Sequence, residues 1–297
     1  MVGQTIRDIV AAELGEPVDP RVTGMAAAVA AAHGEASRAV LFYGSCLRER
    51  QLDGLMLDFY LIVSDYRAAY QRRWLAAANR LIPPNVFPFA HDGLNAKYAV
   101  LSEADFAREC GEGARSVSVW ARFAQPSRLV WAADERERER AIAAVAEAAP
   151  TLFALTRPTM AEEERDDPLG VFRAGFALTY GAELRAERRE RSAAMVESDP
   201  DRYAMLGTAV LAERALGESA TGPARRAWRR RQRKGKALTA LRIAKASFTF
   251  AGGVDYLAWK INRHSGAGIV LKPWQRRWPL LAAITLLPRL LRRGEIR

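Results

Sequence analysis

Cysteine and histidine are scarce in this chain: Cys46 and Cys110 are its two thiols, and His33, His91 and His264 its three imidazoles, in 297 residues. Two cysteines supply neither a disulfide framework nor a zinc cluster, and they suggest a reducing cytoplasm. The shortage of histidine argues against zinc chemistry and against a Ser-His-Asp triad. Long apolar runs are missing as well. The longest, Trp278 to Leu287, falls well short of the ~20 residues that span a bilayer, and Pro288-Arg289 stops it. The amino terminus, MVGQTIRDIVAAELG, has no basic region followed by an apolar core, so no signal peptide is expected. Acid is in deficit too: 45 Lys and Arg against 34 Asp and Glu give a net charge of +11. Such an excess points to an anionic partner, either nucleic acid or an anionic lipid surface.

What is present is concentrated between Tyr43 and Val63, YGSCLRERQLDGLMLDFYLIV. An apolar strand, Ala39 to Tyr43, runs into Gly44-Ser45, and a polar stretch leads to a second strand whose one acid is Asp58. Gly44 lets the backbone approach a phosphate, and Ser45 offers a hydroxyl and an amide. A helix starting there would aim free N–H groups at a triphosphate. A carboxylate on the neighbouring strand would hold Mg²⁺ against the same phosphates. The bland alternative is a hairpin turn with a solvated aspartate. Asp58, however, lies among Leu57, Phe59, Leu61, Ile62 and Val63, where a carboxylate is costly unless it is paired or binds metal.

This layout resembles that of nucleotidyltransferases. Most of them carry two acids one residue apart on the second strand, whereas the positions two before and two after Asp58 are Met56 and Tyr60. Asp53 is the nearest candidate for a second metal ligand, followed by Asp65, Glu103, Asp105 and Glu183. The mitochondrial-type phosphatidate cytidylyltransferases, the translocator-maintenance family with its bacterial members, share this departure. Their YGSG and LDF patterns look like Tyr43-Gly44-Ser45-Cys46 and Leu57-Asp58-Phe59. Asn85 to Phe89 followed by Lys97 to Ser102 is similar to their GVYYN and KYGVIS segments. Ala121 to Pro126 resembles GRLxKPV, and Leu178 to Arg185 resembles LSYxGDxR. The sequence departs from these patterns at Gln125, Ala99, Ala121 and Glu183. The resemblance implies CTP and phosphatidic acid as substrates, Mg²⁺ as cofactor, and CDP-diacylglycerol and pyrophosphate as products. It implies catalytic roles for Asp58, Lys97 and Arg122, and nucleotide contacts from Tyr43, Gly44, Ser45, Tyr180, Glu183 and Arg185. Asp58 and Asp53 would hold the metal.

The expected architecture is an α/β nucleotidyltransferase-fold domain over residues 1–135, a mainly helical domain over 136–245, and an amphipathic tail over 246–297. Helices are expected from Val22 to Ala32, with Asp19-Pro20 as their start signal, and from Tyr66 to Leu81, ended by Pro83-Pro84. Lys97 to Leu101 reads as a strand, Glu103 to Cys110 as a helix and Val117 to Phe123 as a strand. Asp134 to Ala149 reads as a helix leading away from the sheet, and Leu169 to Glu190 as the longest helix. Ala224 to Lys236 packs eight basic residues around Trp228. A run of this kind is often a disordered or nucleic-acid-binding tail. Here apolar, Trp-rich sequence follows from Ala246 to Trp259 and from Trp274 to Leu291, which suits a helix lying in a membrane interface. Docking of that segment on its own protein, or on a second copy of the chain, is the competing reading. No nucleic acid is expected, and the location implied is peripheral, at the cytoplasmic face of the inner membrane. Two other function classes stay open: a nucleotidyltransferase with a soluble small-molecule or RNA acceptor, and a non-catalytic binder whose site has decayed.

Overall fold

The computed structural model describes residues 4–48, 52–182, 190–217, 220–249 and 272–273. Two helices precede the sheet, and each is started by its own sequence. In α1 (Ile6–Leu14), the Thr5 hydroxyl and the Asp8 carboxylate close a reciprocal capping box, and Ile6, Ile9, Val10 and Leu14 form the buried stripe. In α2 (Pro20–Ala31), Asp19 accepts the Arg21 amide hydrogen bond and Pro20 fills the first helical position.

Five strands follow: β1 (Ser37–Tyr43), β2 (Met56–Val63), β3 (Asn85–His91), β4 (Leu94–Ser102) and β5 (Ser127–Ala132). They form one mixed sheet in the order β3-β4-β2-β1-β5. Only the β2–β4 pairing is parallel; β1 runs antiparallel to β2 and β5, and β3 to β4. Asp92 and Gly93, both at positive φ, turn β3 into β4, the backbone that a tight hairpin requires. Between β2 and β3 lie α3 (Tyr66–Ala69) and α4 (Arg73–Leu81). The single helix expected from Tyr66 to Leu81 is therefore broken. Tyr70 adopts extended backbone, and its ring joins His33 and Phe87 in an aromatic cluster.

Helices continue with α5 (Glu103–Cys110), α6 (Trp120–Phe123), α7 (Glu135–Ala146), α8 (Ala148–Thr156), α9 (Pro168–Tyr180), α10 (Glu190–Glu197), α11 (Pro200–Glu213) and α12 (Thr221–Thr249). The expected strand at Val117 to Phe123 is instead a turn entering α6, with the Ala121, Phe123 and Ala124 amides donating four residues back. Its Val-Ser-Val alternation misleads because Ser116 and Ser118 are as buried as Val117 and Val119. Two strands, β3 and β5, lie where the sequence reading placed none. The helix after Asp134 does not lead away from the sheet, since α7 packs on β1 and β5. The helix begun at Pro168 stops at Tyr180, with Gly181 as its cap.

Strand alternation divides the core into two apolar layers. Leu57, Phe59, Leu61 and Val63 face α2, α3 and α4. Tyr60 and Ile62 face the other way, toward α1, α5, α6 and α7. This second layer continues without interruption through α8, α9 and α11 to Trp228 of α12, so the sheet and the later helices share a core. A buried ion pair also joins them, with the Arg202 guanidinium of α11 donating to both Glu13 carboxylate oxygens of α1. Among the described residues, no helix is long and apolar enough to cross a membrane.

The basic run lies within α12, the longest described helix, and is not an unstructured tail. Trp228 is 2% exposed. Its indole N–H donates to the Leu155 carbonyl at 2.6 Å, and its ring meets that of Trp120. Arg231 lies over the Trp228 ring, and Gln232 donates to the Leu178 carbonyl. Gly235 lets the helix pass directly over the Ala182 carbonyl, where a Cβ would collide. Arg226, Arg229, Arg230, Arg233, Lys234 and Lys236 project outward. The expected membrane segment lies outside the described residues, apart from the end of α12 and residues 272–273. Truncating Trp228 to alanine is expected to cost about 3–5 kcal/mol in denaturant unfolding. Arg229→Ala, one position along on the exposed face, is expected to stay within about 0.5 kcal/mol.

Candidate active site

One register row crosses the whole sheet: Ser127 on β5, Tyr43 on β1, Asp58 on β2, Lys97 on β4 and Pro88 on β3. Alternation along each strand puts these residues on the same face. Asp58 shares its face with Tyr60 and Ile62, Lys97 with Ala99 and Leu101, and Tyr43 with Leu41, all in the layer beneath α6. The row lies where β1 ends, so one side of it is open. Gly44 and Ser45 are exposed there, whereas Tyr43 is half-buried.

The Lys97 ammonium meets Asp58 Oδ1 at 2.9 Å, and each side chain keeps 25% of its surface exposed. This pairing answers the cost of a carboxylate among apolar neighbours. The other oxygen, Oδ2, faces Gly44. That residue leaves the strand at φ +98°, and a Cβ there would stand 3.6 Å from Oδ2. Positive φ and the open approach to a carboxylate together account for glycine at this position. The helix that starts at Ser45 is a single 3₁₀ turn, Ser45–Arg48. Cys46 is tucked under that turn with its thiol toward the Met56 carbonyl.

Arg122 reaches the row from α6. It donates to the Ser118 carbonyl and hydrogen-bonds the Tyr43 hydroxyl. Burial, more than anything else, pushes the Tyr43 phenol well above its usual range. The negative charge of Asp58 adds to this rise, and Arg122 opposes it. Tyr43 therefore stays protonated, an O–H beside a carboxylate and a guanidinium. Its ring is held by Tyr60 at 5.4 Å and Phe123 at 6.0 Å between centroids.

Of the sequence-designated residues, Tyr43, Gly44, Ser45, Asp58, Lys97 and Arg122 come together. Tyr180, at the end of α9, is buried. Glu183 and Arg185 lie outside the described residues. Asp53 is exposed and held by Arg21 at 3.2 Å, next to the start of α2, the helix that covers the opposite face of the sheet from Asp58. The remaining acids considered as second ligands also have work elsewhere. Asp65 caps α3, Glu103 pairs with Arg140 and Arg38, and Asp105 takes Arg108 and the Tyr66 hydroxyl. Among the described residues there is no group of three or more His, Cys, Asp or Glu that could hold a metal. Asp58 fits Mg²⁺ in one way, as a single carboxylate completed by substrate phosphates and water, a common arrangement for this ion.

Two basic residues that sequence reading passed over dock α12 on the segment that leads into β3. Arg242 of α12 donates to Pro83 O at 2.7 Å and to Ser118 Oγ at 2.6 Å. Lys245 donates to the carbonyls of Ile82 and Pro84. Their signal was an isolated pair of cations one turn apart, LRIAK, in otherwise apolar helical sequence.

Neither the protein-family models nor the curated proteins compared with this chain give a match.

Burial, reinforced by Arg242, lowers the Lys245 pKa to about 7. Between that value and the ordinary lysine value near 10.5, the unfolded chain binds a proton that the folded chain does not. Stability should therefore rise with pH across that window. Denaturant titrations from pH 7 to 10 should show the rise, and Lys245→Met should flatten it.

Proposed function

We propose that this chain is a nucleotidyltransferase of the phosphatidate cytidylyltransferase type. It joins CTP to phosphatidate, forming CDP-diacylglycerol and pyrophosphate. The observation that carries this reading is the open carboxylate: Asp58 presents Oδ2 past a glycine at the end of β1, with Lys97 and Arg122 beside it. An isolated hairpin turn would need none of these. The mixed five-stranded sheet supports the nucleotidyltransferase layout, and the resemblance from Tyr43 to Arg185 supplies the cytidine and the lipid.

The chemistry follows from charge. A phosphate monoester has a second pKa near ~6, so phosphatidate is largely a dianion at neutral pH and needs no general base. Its oxygen forms a bond to the α-phosphorus of CTP as the bond from that phosphorus to the bridging oxygen breaks, and pyrophosphate leaves with the electron pair. Two anions must be brought together, so catalysis consists of positioning and charge neutralisation. Gly44 and Ser45 admit the triphosphate, and Lys97 and Arg122 screen it. Mg²⁺ on Asp58 would neutralise the phosphate oxygens. Tyr43 orients Arg122 while remaining neutral. Tyr180, Glu183 and Arg185 are assigned to the nucleotide.

The membrane enters through α12. Its outward cations, with the Trp-rich sequence beyond it, suit a protein held peripherally on anionic lipid, here the cytoplasmic face of the inner membrane. Each exposed basic residue near such a surface contributes ~1 kcal/mol.

With Mg²⁺ and phosphatidate micelles, CTP should yield pyrophosphate and CDP-diacylglycerol. Asp58→Asn should lower that rate by about 10²-fold or more with the fold retained. Appreciable residual turnover would remove Asp58 from the chemistry, and a product formed only with a water-soluble acceptor would favour a soluble-substrate transferase. Binding to phosphatidate vesicles should weaken as salt shortens the Debye length from about 10 Å at 0.1 M to about 3 Å at 1 M. Vesicle binding that salt leaves unchanged would remove the α12 cations from the lipid contact.

A further inference from the structure

The segment from Gly111 to Val119 links α5 to α6 without regular structure, yet it sets where Arg122 stands. It is tied at both ends. At its base, the buried Glu109 carboxylate accepts the Arg115 and Ser116 amides. At its top, Arg242 engages it with two nitrogens: Nη1 donates to Ser118 Oγ at 2.6 Å and Nη2 to Ser116 Oγ at 3.3 Å. The third nitrogen, Nε, donates to Pro83 O at 2.7 Å, which fixes the guanidinium against the entry to β3. Both serines are buried.

Ser118 is thus shared by two guanidinium groups, Arg242 on its hydroxyl and Arg122 on its carbonyl. Arg122 in turn holds the Tyr43 hydroxyl, next to Asp58 in the sheet register. We infer that Arg242 is a positioning residue: it acts through Ser118 to hold Arg122 at the phosphate-binding end of the sheet, coupling α12 to the reaction. This rests on the nucleotidyltransferase reading for its chemistry, whereas the connection itself is a matter of geometry. Arg242 does not touch the reacting phosphates. A guanidinium displaced by about 1 Å can cost about 10²-fold in rate, so fixing Ser118 is a catalytic requirement. Arg suits the position because three donors in one plane meet three acceptors on two separate loops, which the single ammonium of lysine cannot do.

A double-mutant cycle tests the connection. Arg242→Met should lower CTP-dependent pyrophosphate release by about 10- to 100-fold, chiefly in kcat. Arg242→Lys, keeping one donor for Ser118, should recover part of the loss. In the Arg122→Ala background, Arg242→Met should add little further loss. Losses that multiply in the double variant, at equal folded fractions, would overturn the proposal. A readout independent of turnover is the ¹⁵N signal of the Arg122 Nε–H group, which should shift or broaden in Arg242→Met and again in Arg242→Lys. An unchanged signal in both would also overturn it. If the wild-type protein releases no pyrophosphate from any nucleotide, the enzymatic reading fails by itself, and the Arg122 signal still decides whether Arg242 sets that side chain.

Discussion

A carboxylate on the inner face of a sheet must be neutralised, and the open end of this fold is arranged around that requirement at Asp58. Its neighbours along the same face are the buried Tyr60 and Ile62, so the charge stands at the last position before the apolar layer closes. Lys97 satisfies one oxygen from the adjacent parallel strand. The other oxygen is reached past Gly44, where no side chain intervenes. Parallel pairing of β2 with β4 is what brings Lys97 into register. A slip of one residue would carry the ammonium to the opposite face, into the layer that holds Tyr98 and Phe59.

The long basic helix divides its work between two faces. Trp228, Gln232, Gly235 and Arg242 face the protein, each matched to a particular carbonyl or hydroxyl. The outward cations meet no such constraint. Sequence composition, which sums all eight basic residues of the run, cannot separate these roles. The separation appears only when helical phase is fixed by the buried tryptophan.

Much of the sheet-bearing half was legible because its signals are local. Asp19-Pro20 marks a helix start by capping chemistry and starts α2, and the helices expected from Glu103 and after Asp134 form, capped in the structure by Ser102 and Asp134. The strand–Gly-Ser–strand order and the acid of β2 could also be read directly. What misled was polarity with a distant partner. Ser116 and Ser118 look like the wet face of a strand, but their hydroxyls are acceptors for an arginine more than 120 residues further along. Asp53, a candidate second ligand by proximity in sequence, pairs with Arg21 at 3.2 Å. Arg242 and Lys245 escaped notice because nothing short-range distinguishes a docking cation from a solvated one.

The hydrogen bond from Arg242 to the Pro83 carbonyl spans 159 positions of chain. Synthesis proceeds from the amino terminus, and elements that need distant partners wait for them. The five strands of the sheet end at residue 132. The Arg122 loop acquires its upper tie only after the chain has grown past residue 242. A chain ending before residue 242 therefore lacks the tie on the Ser118 hydroxyl, and with it the link through which α12 reaches the Arg122 guanidinium.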